Sequence, residues 1–316
     1  MRILVTGASG FVGRALCAEL LRQKHAVVAA IRKENTEFGV SIETATVCSI
    51  EHNTDWSAIL RHIDVVVHLA ARVHIMSDHA TDPLAEFRKV NVAGTFNLAM
   101  QAAKAGVKRF IFISSVKVNG EHTEVGIALT EESPVNPQDA YGMSKLEAEQ
   151  RLLLINQQTG MELVVIRPPL VYGAGVKANF LQLMSLVERS FPLPLARINN
   201  QRSMIYVGNL VDVIITCAKH PKAVNQVYLV SDNELVSTPQ LVRKLAQALG
   251  NKSWVLPLPI FMMKLFAKLF SKSAAFDRLT QSLVIDASKI RKQLDWQPPY
   301  TIEQGLKITA DWFKNK

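Results

Sequence analysis

The stretch Arg2-Ile3-Leu4-Val5-Thr6-Gly7-Ala8-Ser9-Gly10-Phe11-Val12-Gly13 decides the fold of this chain. Its first five residues form a run without polar interruption, which predicts a buried parallel strand, and residues 14–24 predict a helix. Gly7 allows a tight turn, Gly10 lets the backbone approach a pyrophosphate, and Gly13 lets helix and strand pack closely. The helix N-terminus adds free N–H groups and positive potential. In this strand–turn–helix setting the G-x-x-G-x-x-G spacing predicts a dinucleotide site, against the alternative of a plain glycine loop.

The end of the second predicted strand, residues 26–31, indicates which dinucleotide binds. A carboxylate there would bind the adenosine ribose of NAD, but the chain continues with Arg32 and Lys33. Two cations suit a ribose 2′-phosphate and favour NADP(H). In the alternative, Arg32 stacks on the adenine, which is compatible with NAD(H).

Strands and helices alternate over the first half of the chain, which predicts an α/β fold with a doubly wound parallel sheet covered on both faces. Further strands are predicted at 44–49, 64–71, 109–115 and 163–171, and helices at 55–61 and 83–105. Ligands of such sheets lie at the carboxyl ends of the strands. Candidate site residues at those ends are Leu69, Ala70, Ala71, Ser114, Ser115, Arg167, Pro168 and Pro169.

A second motif, Tyr141-Gly142-Met143-Ser144-Lys145, lies at the start of another predicted helix. A spacing of four residues places Tyr141 and Lys145 on one helix face, one turn apart. An ammonium beside a phenol stabilises the phenolate, so we expect a lowered pKa for Tyr141 and a role as proton donor and acceptor for a carbonyl/alcohol couple. The structural alternative is a surface helix with a half-buried tyrosine.

Composition limits the classes of function. The chain has 316 residues, 48% of them hydrophobic and 20% charged, as in a soluble globular protein. The formal net charge is +9, but lysine and arginine are scattered, so nucleic acid is not expected as a partner. An anionic small substrate or an anionic membrane surface accounts better for the charge.

Three features of the sequence indicate the cellular compartment of the protein: its cysteines, its apolar runs and its N-terminus. Cys17, Cys48 and Cys217 are odd in number and far apart, which predicts buried thiols in a reducing compartment, the cytoplasm. No His or Cys spacing suggests a metal site. The chain opens on a strand rather than on a secretion signal, and no apolar run is long enough to span a bilayer.

The chain resembles the extended short-chain dehydrogenase/reductases, and specifically their nucleotide-sugar epimerase/dehydratase branch. The resemblance lies in the order and spacing of three segments: 6–13, 114–115 and 141–145. The resemblance covers essentially the whole chain and implies a Rossmann-type sheet. The segments 115–120 and 167–173 are similar to a polysaccharide-gene subgroup whose members reduce or epimerise UDP-N-acetylhexosamines at C4. Residues 71–76 are similar to the same subgroup.

The resemblance implies roles for individual residues. Tyr141 is the acid/base for the sugar C4 oxygen, Lys145 holds the nicotinamide ribose and tunes Tyr141, and Ser115 hydrogen-bonds the C4 oxygen or, alternatively, caps the strand end. The implied cofactor-binding residues are Gly7, Ser9, Gly10, Phe11, Val12, Gly13, Arg32, Lys33, Leu69, Ala70, Ala71, Asn91, Tyr141, Lys145 and Pro168. The implied residues for the UDP-sugar are Ser115, Val116, Lys117, Tyr141, Asn179, Arg202 and Arg278, the last with a surface salt bridge as its alternative.

Several activities are compatible with this resemblance. Arg32 and Lys33 favour a 4-keto-sugar reductase using NADPH, and a UDP-sugar 4-epimerase with bound NAD is the alternative, in one version on a lipid-linked sugar. Val116-Lys117 stands where dehydratases carry a glutamate, which argues against dehydration. A non-catalytic NADP-binding regulator is the remaining alternative, although such proteins commonly lose the Tyr/Lys pair. Cys48-Ser49 also replaces the aspartate that the family uses near adenine.

The C-terminal third is predicted to complete the substrate site. We expect a cofactor domain of residues 1–172 with 203–232 and a smaller, mostly helical substrate domain of 173–202 with 233–316. The resemblance implies a homodimer through helices 83–105 and 139–155. Residues 258–272 predict an amphipathic helix with Phe261, Met262, Leu265, Phe266, Leu269 and Phe270 on one side and Lys264, Lys268 and Lys272 on another. That pattern indicates either a packed domain face or a membrane-surface helix.

Overall fold

The architecture is described by a computed structural model for residues 1–33, 42–73, 82–269 and 273–316. Its strands are β1 (Arg2–Thr6), β2 (Ala26–Ile31), β3 (Glu43–Thr46), β4 (Val65–His68), β5 (Arg109–Ile113), β6 (Glu162–Arg167), β7 (Leu170–Tyr172), β8 (Arg202–Tyr206), β9 (Gln226–Leu229) and β10 (Leu235–Val236). Seven of them form one parallel sheet in the order β3-β2-β1-β4-β5-β6-β9. The predicted doubly wound α/β fold is confirmed.

The helices cover both faces of this sheet and build the C-terminal region. They are α1 (Phe11–Arg22), α2 (Pro83–Phe87), α3 (Thr95–Lys104), α4 (Ala140–Thr159), α5 (Ala178–Glu188), α6 (Val207–Lys219), α7 (Thr238–Leu249), α8 (Ile260–Leu269), α9 (Ser273–Thr280), α10 (Ser288–Leu294) and α11 (Ile302–Lys314). One apolar layer, with Leu16 of α1 and Ile214 of α6, covers one face, and another, with Leu98 of α3 and Leu152 of α4, covers the other. Alternate residues of each strand therefore point into different layers, which explains why the strands are apolar throughout.

The strand order reverses at β1 and β4, which lie side by side at the centre of the sheet. Chain connections leave such a pair in opposite directions and open a crevice at the carboxyl ends of the strands. The glycine turn after β1 and the Leu69-Ala70-Ala71 segment after β4 lie at this crevice. The fold therefore brings the first candidate cofactor residues together.

Three predicted elements differ in the structure. The sixth strand ends at Arg167, because Pro168 and Pro169 cannot donate to a ladder, and β7 joins a different sheet. The helix predicted at 83–105 is interrupted by a π-helical turn, Arg88–Gly94. The helix predicted at 55–61 is a series of turns.

The C-terminal region is built on the small sheet β10-β8-β7. A core formed by Tyr172, Phe180, Met184, Leu245 and Leu306 joins that sheet to α5, α7 and α11. The two predicted domain boundaries stay predictions. Across the described part of the chain, no helix has the length and apolar character needed to cross a membrane.

Candidate active site

The glycine turn between β1 and α1 is tightly constrained by its neighbours. Gly7 has a φ of +68°, and a Cβ there would lie 2.8 Å from the Ala70 backbone nitrogen. At Gly13 a Cβ would lie 2.2 Å from the Gly7 carbonyl oxygen, so only glycine lets α1 pack this closely on the turn. No side chain caps α1 at Gly10, and its first turn carries no acidic residue. Its free N–H groups are therefore suited to a pyrophosphate.

Other predicted cofactor residues surround this turn. Ser9 and Gly10 are exposed, whereas Phe11 and Val12 are partly buried at the first turn of α1. Ala70 donates its backbone N–H to Thr6 Oγ1 at 3.3 Å, which fixes the small residues after β4 beside the glycine turn. Arg32 and Lys33 follow β2 directly and are both exposed. Cys48, just beyond β3, is exposed as well, so the prediction of three buried thiols is wrong for this one.

Helix α4 carries Tyr141 and Lys145 at its start. Asp139 caps the helix by accepting the Gly142 backbone N–H at 2.7 Å, which fixes the first turn. The Lys145 Nζ lies 5.9 Å from the centre of the Tyr141 ring, on the same helix face, as the spacing predicts. The candidate acid/base and its neighbouring cation are therefore brought together by one helical turn.

Lys145 lies in an environment that disfavours its charge. Only 1% of the residue is exposed, and its Nζ donates to the Ile113 carbonyl oxygen at 2.8 Å. The Phe112 ring lies below the ammonium at 4.4 Å. Burial lowers the pKa of Lys145 to about 7, and the Glu149 carboxylate opposes part of that shift.

The expected pKa shift of Tyr141 is wrong for this structure. Burial, followed by repulsion from the Asp139 carboxylate, raises the pKa of Tyr141 above its ordinary value. The ammonium of Lys145 is engaged by Ile113 rather than by the phenol oxygen. A helical spacing predicts that two side chains share a face but not which acceptor the lysine will choose.

The short turn that follows Ser115 packs against the start of α4. It precedes a 3₁₀ turn, Val116–Val118, and its hydroxyl accepts the Lys117 backbone N–H at 3.2 Å, which agrees with the capping alternative. A Cβ on Gly142 would lie 2.9 Å from the Lys117 carbonyl oxygen, so this turn and α4 are in close contact next to Tyr141. A hydroxyl that accepts a backbone N–H keeps its own proton for donation, so capping does not prevent binding of a sugar oxygen.

Other candidates near this turn are engaged by the protein itself. Lys117 Nζ lies 2.6 Å from carboxylate oxygens of both Glu121 and Asp139; burial disfavours its charge, but the two carboxylates outweigh burial and raise its pKa. The Val116 side chain is buried against Leu229. The Pro168 carbonyl accepts the Val116 N–H at 3.0 Å.

Asn91 has a structural set of contacts. Its amide oxygen accepts the Arg72 N–H at 2.8 Å, and its amide nitrogen donates to the Arg72 carbonyl and to Ser144 Oγ, both at 3.0 Å. Asn91, a buried residue of the π-helical turn, therefore ties the segment after β4 to α4. Of the two roles that the resemblance allows, the structural one accounts for these bonds.

Glu149, one turn beyond Lys145, is a further residue of this site that the sequence motifs do not predict. Its carboxylate accepts two bonds from the Arg167 guanidinium, at 3.0 and 2.5 Å, and one from the Ser114 hydroxyl. Arg167 also donates to Asn119 Oδ1 at 3.0 Å. All of these groups are buried, so the pair links β6 to the active-site face of α4. The repeat of polar residues at 141, 145 and 149 was the available signal.

A cavity of about 820 Å³ lies in the C-terminal region, and three predicted nucleotide-binding residues line it: Asn179, Arg202 and Arg278. The remaining wall is mostly apolar, with Leu183 and Leu241 among its side chains. Arg202 Nη1 donates to the Arg278 carbonyl at 2.7 Å and to the Gln281 carbonyl at 3.1 Å, and burial lowers its pKa. Two arginines and an amide in an apolar cavity suit a nucleoside diphosphate.

Within the described ranges, no group of three His, Cys, Asp or Glu side chains could hold a metal ion. The glycine turn and the uncapped start of α1 can bind a dinucleotide at the β1/β4 crevice, and the Tyr141 phenol can exchange a proton with a ligand there. The predictions for residues 74–76 and for the side chains of Phe266, Phe270 and Lys272 concern parts of the chain outside the described residues.

Comparison with protein families gives a match over most of the chain. The profile described as the NAD dependent epimerase/dehydratase family matches residues 3–231. A "UDP-glucose 4-epimerase" of Vibrio cholerae is 50% identical over 98% of this chain and 95% of its own length. An "N-acetyl-alpha-D-glucosaminyl-diphospho-ditrans,octacis-undecaprenol 4-epimerase" of Escherichia coli O157:H7 is 29% identical over 98% of this chain and 94% of its own.

Solved structures with this fold include two sugar-nucleotide epimerases. A UDP-glucuronic acid 4-epimerase from Bacillus cereus in complex with NAD superimposes with a TM-score of 0.81, at 22% identity, over 100% of this chain and 99% of the other. A UDP-glucose 4-epimerase from Thermotoga maritima with UDP-glucose has a TM-score of 0.79, also at 22% identity, with the same coverage. At this identity the likeness establishes the fold.

Proposed function

This chain belongs to the NAD dependent epimerase/dehydratase family, and from that premise we propose that it is a 4-epimerase of a UDP-hexose. The observation that carries the proposal is the Tyr141/Lys145 pair on one face of α4, in a chain half identical to a UDP-glucose 4-epimerase over nearly its full length. In the sequence, only Arg32 and Lys33 favour reduction. A full-length relative at this identity outweighs those two exposed cations.

The cofactor residues of the chain fit a nicotinamide dinucleotide. The tight glycine turn and the uncapped start of α1 provide N–H groups for the pyrophosphate, and the small residues after β4 leave room beside it. When bound, the dinucleotide supplies reversible hydride transfer with the sugar C4 carbon.

The protein groups provide the proton transfer and the orientation. In the proposed mechanism the Tyr141 phenolate accepts the proton of the C4 hydroxyl as the hydride leaves, and the phenol returns it to the C4 oxygen afterwards. The Ser115 hydroxyl donates to the same oxygen, and Lys145 would hold the nicotinamide ribose. Because burial lowers the pKa of Lys145 to about 7, only its charged fraction favours the phenolate. The keto sugar turns over between the two steps, so the hydride returns to its other face.

The cavity lined by Asn179, Arg202 and Arg278 supports a UDP-sugar as the substrate class. A guanidinium binds a diphosphate in bidentate fashion, and the apolar wall suits the uridine. An N-acetylated hexose is our narrower proposal, since the subgroup resemblance and the relative from Escherichia coli both concern N-acetylhexosamines.

The Tyr141→Phe substitution tests the mechanism. It removes the proton-transferring oxygen and keeps the ring, so we expect 4-epimerase turnover to fall by ~10²–10⁴-fold. Turnover is measured with UDP-glucose and with UDP-N-acetylglucosamine. Tyr300→Phe is the matched control, because Tyr300 is a partly exposed tyrosine that packs against Tyr206, and its turnover should match that of the unmodified protein. Unchanged turnover in Tyr141→Phe would remove this phenol from the mechanism.

A 4-keto-sugar reductase is the second candidate function, favoured by Arg32 and Lys33 and by the absence of a carboxylate at residues 32 and 33 after β2. The two functions differ in their nucleotide. We expect the denatured protein to release NAD, because an epimerase regenerates its cofactor within each turnover. Titration of the stripped protein with NADH and NADPH completes the test, and an empty site that prefers NADPH would support the reductase and contradict the epimerase.

We also propose that the protein is a homodimer that pairs through α3 and α4. The two helices pack together and expose apolar side chains on their outer surface: Phe96, Met100 and Leu154. The Arg151 guanidinium lies 6.0 Å from the centre of the Phe96 ring, so these groups share one surface. An apolar surface of this kind is typical of a subunit interface.

A further inference from the structure

Helix α8 exposes a stripe of large apolar side chains that no other residue in the described part of the chain covers. Phe261, Leu265 and Leu269 recur every fourth residue and are 72%, 64% and 73% exposed. Met263, on the opposite side of the helix, is buried. Exposed apolar residues are ordinary when single, but three on one helix face form a patch that indicates an interaction surface.

The same face carries positive charge and no negative charge. Lys264 and Lys268 are exposed, and each lies three residues after an exposed apolar residue, so it is a neighbour on the helix surface. The sequence of α8, IFMMKLFAKL, contains no Asp or Glu. The chain as a whole carries a formal net charge of +9. An apolar stripe bordered by lysines is the composition of helices that lie in the head-group layer of a membrane.

Exposed apolar groups continue into the segment before α8. Trp254, Leu256 and Ile260 are 57%, 45% and 47% exposed. Trp254 and Leu256 are held in place by backbone bonds between residues 254–256 and Leu193. A tryptophan beside leucines and lysines is typical of the membrane interface, where one part of the ring is buried and its N–H stays hydrated.

A second copy of the chain is a poorer occupant of this surface. Two α8 helices packed face to face would bring Lys264 and Lys268 of one copy near the same lysines of the other, with no acidic residue on either helix to pair with them. Lipid phosphates instead provide negative charge at the depth the ammonium groups reach. The uncovered face of α3 and α4 is available for dimerisation.

We propose that the outer face of α8 docks on the surface of an anionic lipid bilayer, with Phe261, Leu265 and Leu269 at the boundary between the head groups and the acyl chains. The helix lies along the membrane plane and does not cross it. Leu258, just before α8, and Met263, on the inner side of α8, line the cavity that contains Arg202 and Arg278. Docking therefore places one wall of the nucleotide cavity at the membrane.

Vesicle flotation with the full chain tests this proposal. The probe is a vesicle of phosphatidylethanolamine and phosphatidylglycerol, with vesicles of phosphatidylcholine alone as the neutral comparison. We expect the protein to float with the anionic vesicles, and added salt to release much of it because the lysine contribution is screened. Failure to float with anionic vesicles would overturn the proposal.

Substitutions on α8 assign the binding to this surface. Phe261→Asp with Leu265→Asp should weaken vesicle partitioning by at least about tenfold, since two large apolar groups are lost and two negative charges are gained. Lys264→Glu with Lys268→Glu should abolish the preference for anionic lipid. Val125→Asp and Lys104→Glu are the matched controls, because Val125 is 96% exposed in a loop and Lys104 is exposed on α3.

Two readouts separate docking from misfolding and from dimerisation. The α8 residues replaced here do not line the cavity, so epimerase turnover on soluble UDP-glucose should equal that of the controls. The mass in solution, measured by light scattering, should also be unchanged. Equal flotation of the α8 variants and the controls, or a fall in molecular mass of the α8 variants, would show that this face does not bind lipid and would overturn the proposal.

Discussion

Lys145 is almost fully buried, whereas an ordinary lysine is exposed to water. It lies between the Phe112 ring and the Ile113 carbonyl, and burial lowers its pKa to about 7. In the unfolded chain a lysine has a pKa of about 10.4. Between these two values the unfolded chain binds more protons than the folded one, so the free energy of unfolding rises with pH in that window.

Replacement of Lys145 by Met should remove this pH dependence. We expect the stability of the unmodified protein, relative to Lys145→Met, to increase from pH 7 to pH 9.5 by at most about 1.4 kcal/mol per pH unit. Urea denaturation of nucleotide-stripped protein at several pH values measures it. Lys104 is exposed on α3. The free energy of unfolding of Lys104→Met should therefore change with pH in parallel with that of the unmodified protein. Parallel curves for Lys145→Met would mean that Lys145 keeps an ordinary pKa.

The sequence predicts that Tyr141 and Lys145 share one helix face, but it does not predict the pKa of either side chain. Helical geometry places both residues on one face whatever surrounds them. Which acceptor Lys145 chooses depends on Ile113, and the depth of burial depends on how β5 packs against α4. These contacts join residues 32 positions apart, so a local pattern does not contain them. Glu149 was missed for the same reason, because its partner Arg167 comes from β6.

At the scale of elements, long periodic segments were predictable and interruptions were not. The alternation of strands and helices predicts the correct fold class. The helical patterns at 139–155, 179–188, 210–219, 239–249 and 302–313 correspond to α4, α5, α6, α7 and α11. The π-helical turn between α2 and α3 escaped prediction, because its residues continue the helical pattern. At Gly94 in that turn a Cβ would lie 2.5 Å from the Ile50 carbonyl oxygen, so tertiary contact decides the local geometry.

The proposed pairing of α3 and α4 gives a prediction at this scale. Leu154→Asp with Met100→Asp puts charge on the apolar surface that the two helices expose, so we expect the dimer to dissociate to monomers. Light scattering after size-exclusion chromatography measures the mass. Val125→Asp, which adds one charge at an exposed loop position, should remain dimeric. A monomeric unmodified protein, or a variant that stays dimeric, would rule out this interface.

The whole molecule combines a parallel sheet that fits a dinucleotide with a smaller region that contains an apolar cavity and two arginines. Sequence patterns identified both groups of residues, through the glycine turn and through family resemblance. They could not show that Asn179, Arg202 and Arg278 share one cavity, since these come from α5, β8 and α9. Met263, on the inner side of α8, lines the same cavity, and in our proposal the outer side of that helix contacts a bilayer.

The central claim is hydride transfer out of and back to the C4 carbon within one site. The most direct test is incubation of the purified protein, without added nucleotide, with UDP-glucose and UDP-N-acetylglucosamine that carry deuterium at C4. We expect at least one to be converted to its 4-epimer and the product to keep the deuterium at C4, since the same hydride returns to the other face. Loss of the deuterium to solvent, or conversion of neither sugar while a 4-keto sugar is reduced with added NADPH, would exclude the proposed epimerase mechanism.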